Sequence, residues 1–367
     1  MYENRSPAYL QLIQKLLECS NGEESQILNS HSELLDPGLL KMIIARAKQF
    51  DNNGKPKPGK ILTNCALQIG EFIGNNQQRT SIKKQTGDIL LNWGNEQYYI
   101  SQIFLAFQCW QQSLIIYQAI HDRQGEASSF GNLGITYCSL GEYEQAIAVH
   151  EKSLAISREI KYGEGEASSL GGLGIAYYYL GEYERAISFH EQHLAISREI
   201  KNRFGEASSL GGLGTAYDSL GEYERAIAFH EKSLAIFQEI KNRQGEASSL
   251  GSLGNAYRSL GQNERGIAFY EQSLAIFQEI ENRQGEASSL GGLGIAYDSL
   301  GEYERAIDYH EQSLAIKREI KNCQGEANSL NNIGIVYRRL QQTEKAIKNY
   351  RDSLKIATAK TMPPECF

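Results

Sequence analysis

The sequence has no run of 18 apolar residues, no surplus of positive charge and no clustered cysteines, and each shortage removes a class of protein. Without a long apolar run there is no transmembrane helix to place. Met1–Ser6 and the polar helix after them lack the zones of a secretion signal. Together these readings predict a soluble, cytoplasmic protein. Lys and Arg number 37 against 44 Asp and Glu, a formal net charge of −7. A nucleic-acid groove needs a basic footprint, so no nucleic-acid partner is expected, nor a membrane one. The six cysteines, at 19, 65, 109, 138, 323 and 366, share no spacing and form no disulfide framework. Cys366 is second from the end, whereas prenylation needs a cysteine four from the end.

What the chain does have is a period. Gly-Glu-Ala recurs at 125–127, 165–167, 205–207, 245–247, 285–287 and 325–327, a 40-residue spacing with no insertion or deletion. Such a period marks an array of supersecondary units, whose natural product is a long surface rather than one buried pocket. Within a unit the apolar spacing is helical twice over. Ala207, Leu210, Leu213, Tyr217 and Leu220 form one stripe, Gly221 stops it, and Tyr223, Ala226, Ile227, His230, Leu234, Phe237 and Ile240 form the next. Asn202, Asn242, Asn282, Asn322 and Asp122 stand where the first helix needs a cap, and Tyr162 breaks that column. Glu199–Arg203 and Glu239–Arg243 lie four apart across a helix break and carry little weight. Gly214 and Ala226 allow the two helices to approach closely, with the Tyr217 and His230 rings beside them. Gly211 and Gly212 are expected to line an open face.

The string LGxAYxxLGEYERAIxxHExxL resembles the tetratricopeptide repeat signature, in a 40-residue version similar to that of Pins-type adaptors and of many bacterial signalling proteins. The resemblance implies an all-α, right-handed solenoid of helix-turn-helix repeats. It departs from the usual family pattern in period, which is more often 34, and in lacking a terminal proline. Six regular repeats follow: 125–164, 165–204, 205–244, 245–284, 285–324 and 325–360. Shifting back by 40 aligns 85–124 as a degenerate repeat bearing Trp93 and Trp110, as expected of an array end. The last repeat becomes a basic cap, and Met362-Pro363-Pro364 ends the helical pattern before a 361–367 tail. Residues 1–84 read as a helical region with a linker near 52–59, an Asp36-Pro37 helix start and a further helix at roughly 60–73. Residues 8–40 resemble a segment found before such arrays in bacterial proteins, many of which continue into a caspase-like CHAT domain. The chain ends at Phe367 without room for one.

Several enzyme-like patterns dissolve on inspection. The column His150, His190, His230 and His310 alternates with Tyr270 and Tyr350, which fits ring packing rather than a converging ligand set. His190-Glu191-Gln192-His193 has its histidines three apart, not the four of a zincin helix. Gly171-Gly172-Leu173-Gly174 has no preceding strand and so is no phosphate loop. No nucleophile meets a base. The chain is therefore read as non-catalytic, with no cofactor and no metal.

One stripe of the first helix varies while the scaffold repeats. It comprises the columns starting at Ile135, Cys138 and Ser139. In the family the matching positions line the concave groove that binds peptides. Carried over, the candidate contacts are Tyr178, Tyr179, Asp218, Arg258, Asp298, Arg338 and Arg339, with Asn132, Asn255, Asn331 and Asn332 offering amides to a peptide backbone. The groove would be bare and glycine-floored. Asp218, Arg258, Asp298 and Arg338 alternate in sign, so they either bridge neighbouring repeats or read a partner's charges. The expected function is a scaffold or adaptor binding a peptide or partner helix. Two alternatives stand beside it: a regulatory partner of a CHAT-type protease or signalling effector, and a weakly self-associating structural array. Asn263 for Tyr and Gly266 for Ala predict a soft spot in 245–284.

Overall fold

A computed structural model describes residues 5–20, 22–53, 55–75, 80–100 and 102–359. The expected stop at Met362–Pro364, the 361–367 tail and Cys366 lie outside the described residues. Among those described, the chain is all α, with eighteen α-helices and no strand. It divides into two compact units, one through residue 180 and the other from residue 181.

The first unit holds α1 (Ser6–Glu18), α2 (Glu24–Ser30), α3 (Pro37–Asn52), α4 (Pro56–Asn75), α5 (Thr80–Tyr99), α6 (Ile103–Ala119), α7 (Arg123–Leu140), α8 (Tyr143–Glu159) and α9 (Gly163–Tyr179). Asp36 caps α3 as the sequence predicts, its Oδ1 accepting from the N–H of Gly38 and Leu39 at 2.9 and 3.0 Å. The buried Tyr9 hydroxyl donates to the same carboxylate at 2.6 Å, tying α1 to this cap. The linker expected at 52–59 is shorter, because α3 runs to Asn52 and α4 opens at Pro56. Prolines at 56 and 58 fall in the first helical turn, where a missing N–H leaves no bond unmade. One continuous apolar core joins α1, through Tyr9, Leu12 and Leu16, to Cys109 and Ile116 of α6. The N-terminal helices are thus packed onto α5 and α6.

The second unit holds α10 (Tyr183–Glu199), α11 (Arg203–Ser219), α12 (Tyr223–Glu239), α13 (Arg243–Ser259), α14 (Asn263–Glu279), α15 (Arg283–Ser299), α16 (Tyr303–Glu319), α17 (Cys323–Arg339) and α18 (Thr343–Ala359). Local chemistry sets each boundary. The Asn202, Asn242, Asn282 and Asn322 side chains accept from Gly205, Gly245, Gly285 and Gly325 at 2.8–2.9 Å. In the first unit Asp122 does the same for Gly125, whereas Tyr162 makes no such bond. Gly221 ends α11 at φ +79°, with the Glu222 N–H returning to the Tyr217 carbonyl at 2.9 Å. This left-handed stop suits glycine. The second helix of each repeat ends the same way without it, at Lys201, Lys241, Glu281 and Lys321, φ +53° to +57°. A non-glycine residue there costs about 1–2 kcal/mol.

Between helices the contacts also repeat. Tyr217 stacks on Phe229 with ring centroids 5.4 Å apart, and the Arg225 guanidinium lies 3.8 Å above the Tyr217 ring. Tyr257 with Phe269 and Arg265, and Tyr297 with Tyr309 and Arg305, copy this sandwich. The buried Ser233 hydroxyl donates to the Ala207 carbonyl at 2.9 Å, fixing α12 against α11.

Candidate interaction face

The columns that vary all lie on the first helix of each repeat, so the face starts from what supports that helix. His230, buried at 2% exposure, lies against Gly214, where an added Cβ would come within 2.6 Å of the ring. Close approach thus explains Gly214 as the sequence predicts. Gly211 and Gly212 correct the expectation of an open, bare floor. A Cβ on Gly212 would meet the His190 ring at 2.5 Å, and one on Gly211 would touch the Ser233 hydroxyl at 3.5 Å. Tyr270 shows the full arrangement, held between Gly254 of its own repeat and Gly292 of the next. His150 does the same in the first unit between Gly134 and Gly172. The ring column is therefore a set of rivets between consecutive repeats. Burial pushes the imidazoles of His150, His190, His230 and His310 down to about 4, so at neutral pH they are uncharged.

Within the first unit the face carries a cavity of about 440 Å³, lined by Tyr98, Ile135, Cys138, Ser139, Tyr143, His150, Gly172, Ile175 and Tyr179. Tyr179, 58% exposed, stacks on Tyr143 at 5.2 Å and meets Tyr178 edge-on at 5.4 Å. The Tyr98 hydroxyl and the Ser139 hydroxyl are 2.9 Å apart. Both ring nitrogens of His150 are buried without a hydrogen bond to protein. Burial also raises the Cys138 thiol to about 11, which keeps it a neutral wall rather than a nucleophile. The Asn132 amide is already engaged, donating to Asn95 at 2.8 Å, and Asn95 also accepts from the Trp110 indole at 3.1 Å.

In the second unit, the varying columns are charged. Asp218 and Arg258 are half-buried on α11 and α13, and Asp218 Oδ1 and Arg258 Nε have no hydrogen-bond partner in the protein. Burial raises the Asp218 carboxyl above its ordinary range, with Arg258 only partly opposing it. Asn255 is exposed and accepts from the Tyr270 hydroxyl at 2.6 Å. Asp298, 9% exposed, pairs with Arg339 at 3.2 Å, and Arg339 also donates to the Asp298 carbonyl at 3.3 Å. That corrects the alternating ladder at its end: the residue on Asp298 is Arg339, one place along α17, and Arg338 is exposed. Asn331 is exposed and Asn332 half-buried on the same helix.

The ion pairs bear out the little weight given to Glu199–Arg203 and show where the arginine goes instead. Arg203 bonds Glu206 and reaches forward to Glu239 in the following helix of its repeat, rather than back to Glu199. Arg243 and Arg283 repeat this with Glu279 and Glu319. Burial alone would raise Glu206, but Arg198 and Arg203 outweigh it and hold the carboxyl below its usual range. Tyr98, Tyr143 and His150, absent from the sequence-derived contacts, belong to the cavity. The Tyr143 column was legible only as a helix start, and the histidine column only as packing.

The tetratricopeptide repeat family models match residues 86–159, 165–239, 245–319 and 327–360. None of the curated proteins is a significant match to the sequence. Among solved structures, a Rap protein complexed with Competence and Sporulation Factor is similar over 96% of this chain and 96% of its own, at 14% identity and TM-score 0.64. A Rap conjugation gene regulator of plasmid pLS20, in complex with a peptide, matches over 88% of this chain and 95% of its own, at 12% identity and TM-score 0.63. BtubC of P. vanneervenii covers 60% of this chain with 93% of its own, at 22% identity and TM-score 0.52. Identities this low speak to the fold. No helix among the described residues is long and apolar enough to cross a membrane.

Proposed function

The chain belongs to the tetratricopeptide repeat family, and from that premise we propose that it is a non-catalytic scaffold whose first-helix face binds an extended peptide or a partner helix. The observation that carries this reading is a coincidence of two independent features. The columns where near-identical repeats disagree are the columns that hold a cavity in the first unit and hydrogen-bond-deficient polar atoms in the second. Asp218 Oδ1 and Arg258 Nε are left without a hydrogen bond in the protein, at about 1–3 kcal/mol for each such atom, even though Arg258 attracts Asp218 and bonds Tyr270 through its other nitrogens. A bound chain with amide donors and acceptors would satisfy both. Two of the structurally similar proteins, the Rap protein and the Rap regulator, are named as complexes with a factor and a peptide, which supports the same use of this fold.

The test is selection of binders from a random displayed peptide library on the full chain, followed by calorimetry with Tyr178→Ala/Tyr179→Ala and Arg258→Ala. Binding should weaken at least about tenfold in each variant, the loss of one or more well-made contacts. Selected peptides that bind both variants as tightly as the parent would remove the face from the account.

A further inference from the structure

The ring column gives the cavity in the first unit a specific chemistry. In the repeat 245–284 the rivet is Tyr270, and its hydroxyl passes through to the varying face, where it meets Asn255 at 2.6 Å. In the repeat 125–164 the same position is His150, a shorter side chain with no hydroxyl, and the residue matching Asn255 is Ile135. The imidazole stops short, both nitrogens lack a protein partner, and the cavity of about 440 Å³ lies where His150 and Ile135 line a common wall. A side chain 1% exposed with an unmet donor and an unmet acceptor is a built polar point in a lining whose Tyr98 and Ser139 hydroxyls already bond each other and whose remaining walls are mostly aromatic and aliphatic.

We propose that this cavity binds a neutral phenol-type aromatic group, presented by a partner polypeptide as a tyrosine side chain, whose hydroxyl hydrogen-bonds His150. The inference rests on the reading of the face as a peptide-binding surface and names the ligand chemistry at one point of it. Three features select the group. Its flat body matches walls made of Tyr143, Tyr179 and Ile175, and aromatic pairs favour such offset or edge-on contacts. A hydroxyl both donates and accepts, and so suits a neutral imidazole in either tautomer. No Asp, Glu, Lys or Arg lines the cavity, so a charged group would lose its hydration without recompense. Burial holds His150 uncharged at neutral pH, which denies a carboxylate or phosphate its counter-charge there. The volume falls within the range of about 300–1,000 Å³ usual for sites of this kind.

The experiment titrates the full chain with N-acetyl-tyrosinamide, N-acetyl-phenylalaninamide and N-acetyl-phosphotyrosinamide, following the His150 imidazole resonance by NMR. The same three groups are then placed in one selected peptide and measured by calorimetry. The phenol should shift the His150 resonance and bind about tenfold more tightly than the phenyl group, with the phosphorylated form weaker than both. His150→Tyr, which has Tyr270 as its precedent in this chain, should fill the cavity from within and abolish the preference. Ile175→Lys, at an exposed rim position, should lower affinity for the phenol without altering the melting temperature. If the free amide binds as tightly as the peptide, the cavity takes a small phenol rather than a protein side chain, and that half of the proposal falls. Equal affinity for phenol and phenyl groups, or an unchanged preference in His150→Tyr, overturns it. Peptide binding that remains sensitive to Arg258→Ala in that case would leave the broader reading of the face intact.

Discussion

The same substitution at two glycines one turn apart should have opposite effects. In Gly211-Gly212-Leu213-Gly214, all within α11, any glycine costs about 1 kcal/mol of helix stability relative to alanine. A Cβ on Gly211 would sit 3.5 Å from the Ser233 hydroxyl, an ordinary contact, so Gly211→Ala should recover most of that and stabilise by about 0.5–1 kcal/mol. A Cβ on Gly214 would lie 2.6–2.7 Å from three atoms of the His230 ring, against a comfortable separation of about 3.5–4.0 Å. That ring is buried, so the overlap is relieved only by moving a helix. Overpacking of this kind costs about 1–3 kcal/mol, which cancels or outweighs the propensity gain and leaves a net loss of up to about 2 kcal/mol. Thermal melts give the global effect, and hydrogen exchange of α11 and α12 localises it. Gly131, Gly251 and Gly291 share the ordinary spacing, at 3.6, 3.4 and 3.6 Å from the matching serine, so alanine at all four should raise stability roughly additively. Should Gly214→Ala prove as stable as Gly211→Ala, the close-approach account of these glycines is wrong.

Acid should loosen the rivets. His150, His190, His193, His230 and His310 are held by burial at about 4, below the unfolded value near 6.5, so unfolded chains take up these protons first. Stability is then full above pH 6.5 and falls as pH drops towards 4, by about 2 kcal/mol per ring at pH 5; a melting temperature unchanged between pH 7.5 and pH 5 contradicts this, and His310→Tyr should flatten part of the slope. Gly266 stands where neighbouring repeats carry Ala226 and Ala306, and its Cβ would approach the Gly254 carbonyl at 3.0 Å, a gap those neighbours accommodate. Gly266→Ala should therefore stabilise by up to about 1 kcal/mol and slow exchange in α13 and α14, which should otherwise exchange fastest among the central repeats of the second unit; uniform protection before the substitution would count against a soft spot there. Arg258→Ala separates bridging from recognition: lost peptide affinity at constant melting temperature assigns the residue to the partner, and a lower melting temperature with affinity intact assigns it to the scaffold.

The period, the caps at Asn202 and its copies, the stop at Gly221 and the tight crossing at Gly214 were all legible, because each depends on neighbours within one helical hairpin. What escaped had a common cause. In an array of identical copies a residue's column is visible, but the copy in which its partner lies is not. The helix break already discounts Glu199 behind Arg203, but the partner 36 residues ahead, Glu239, sits in the same column and leaves no mark of its own in sequence. Gly212 looks like open floor in sequence on the same ground, since the ring that covers it belongs to the previous repeat. The Arg339 pairing with Asp298 was missed by one residue, the margin by which a helix turns a side chain from one neighbour to another. The cavity at His150 needed the comparison of His150 with Tyr270 in space, because a missing hydroxyl leaves no mark in an apolar pattern.

The rivets have an evolutionary corollary. Because Tyr270 grips Gly254 behind and Gly292 ahead, removing 245–284 would bring Gly292 to the place that Ser252 holds opposite His230, a glycine meeting a ring as it does elsewhere in the array. Asn242 would then stand before Gly285 as its cap, and Arg243 would find Glu319 as its forward partner, each taking the place of its deleted copy. A cut of 20 residues would present helix ends to helix middles and satisfy none of them. Genes built from near-identical tandem segments lose and gain copies by unequal recombination, and here the protein absorbs such events in steps of 40 residues. The length of the array is thus free to drift by whole units while its joints keep the same kind of contact.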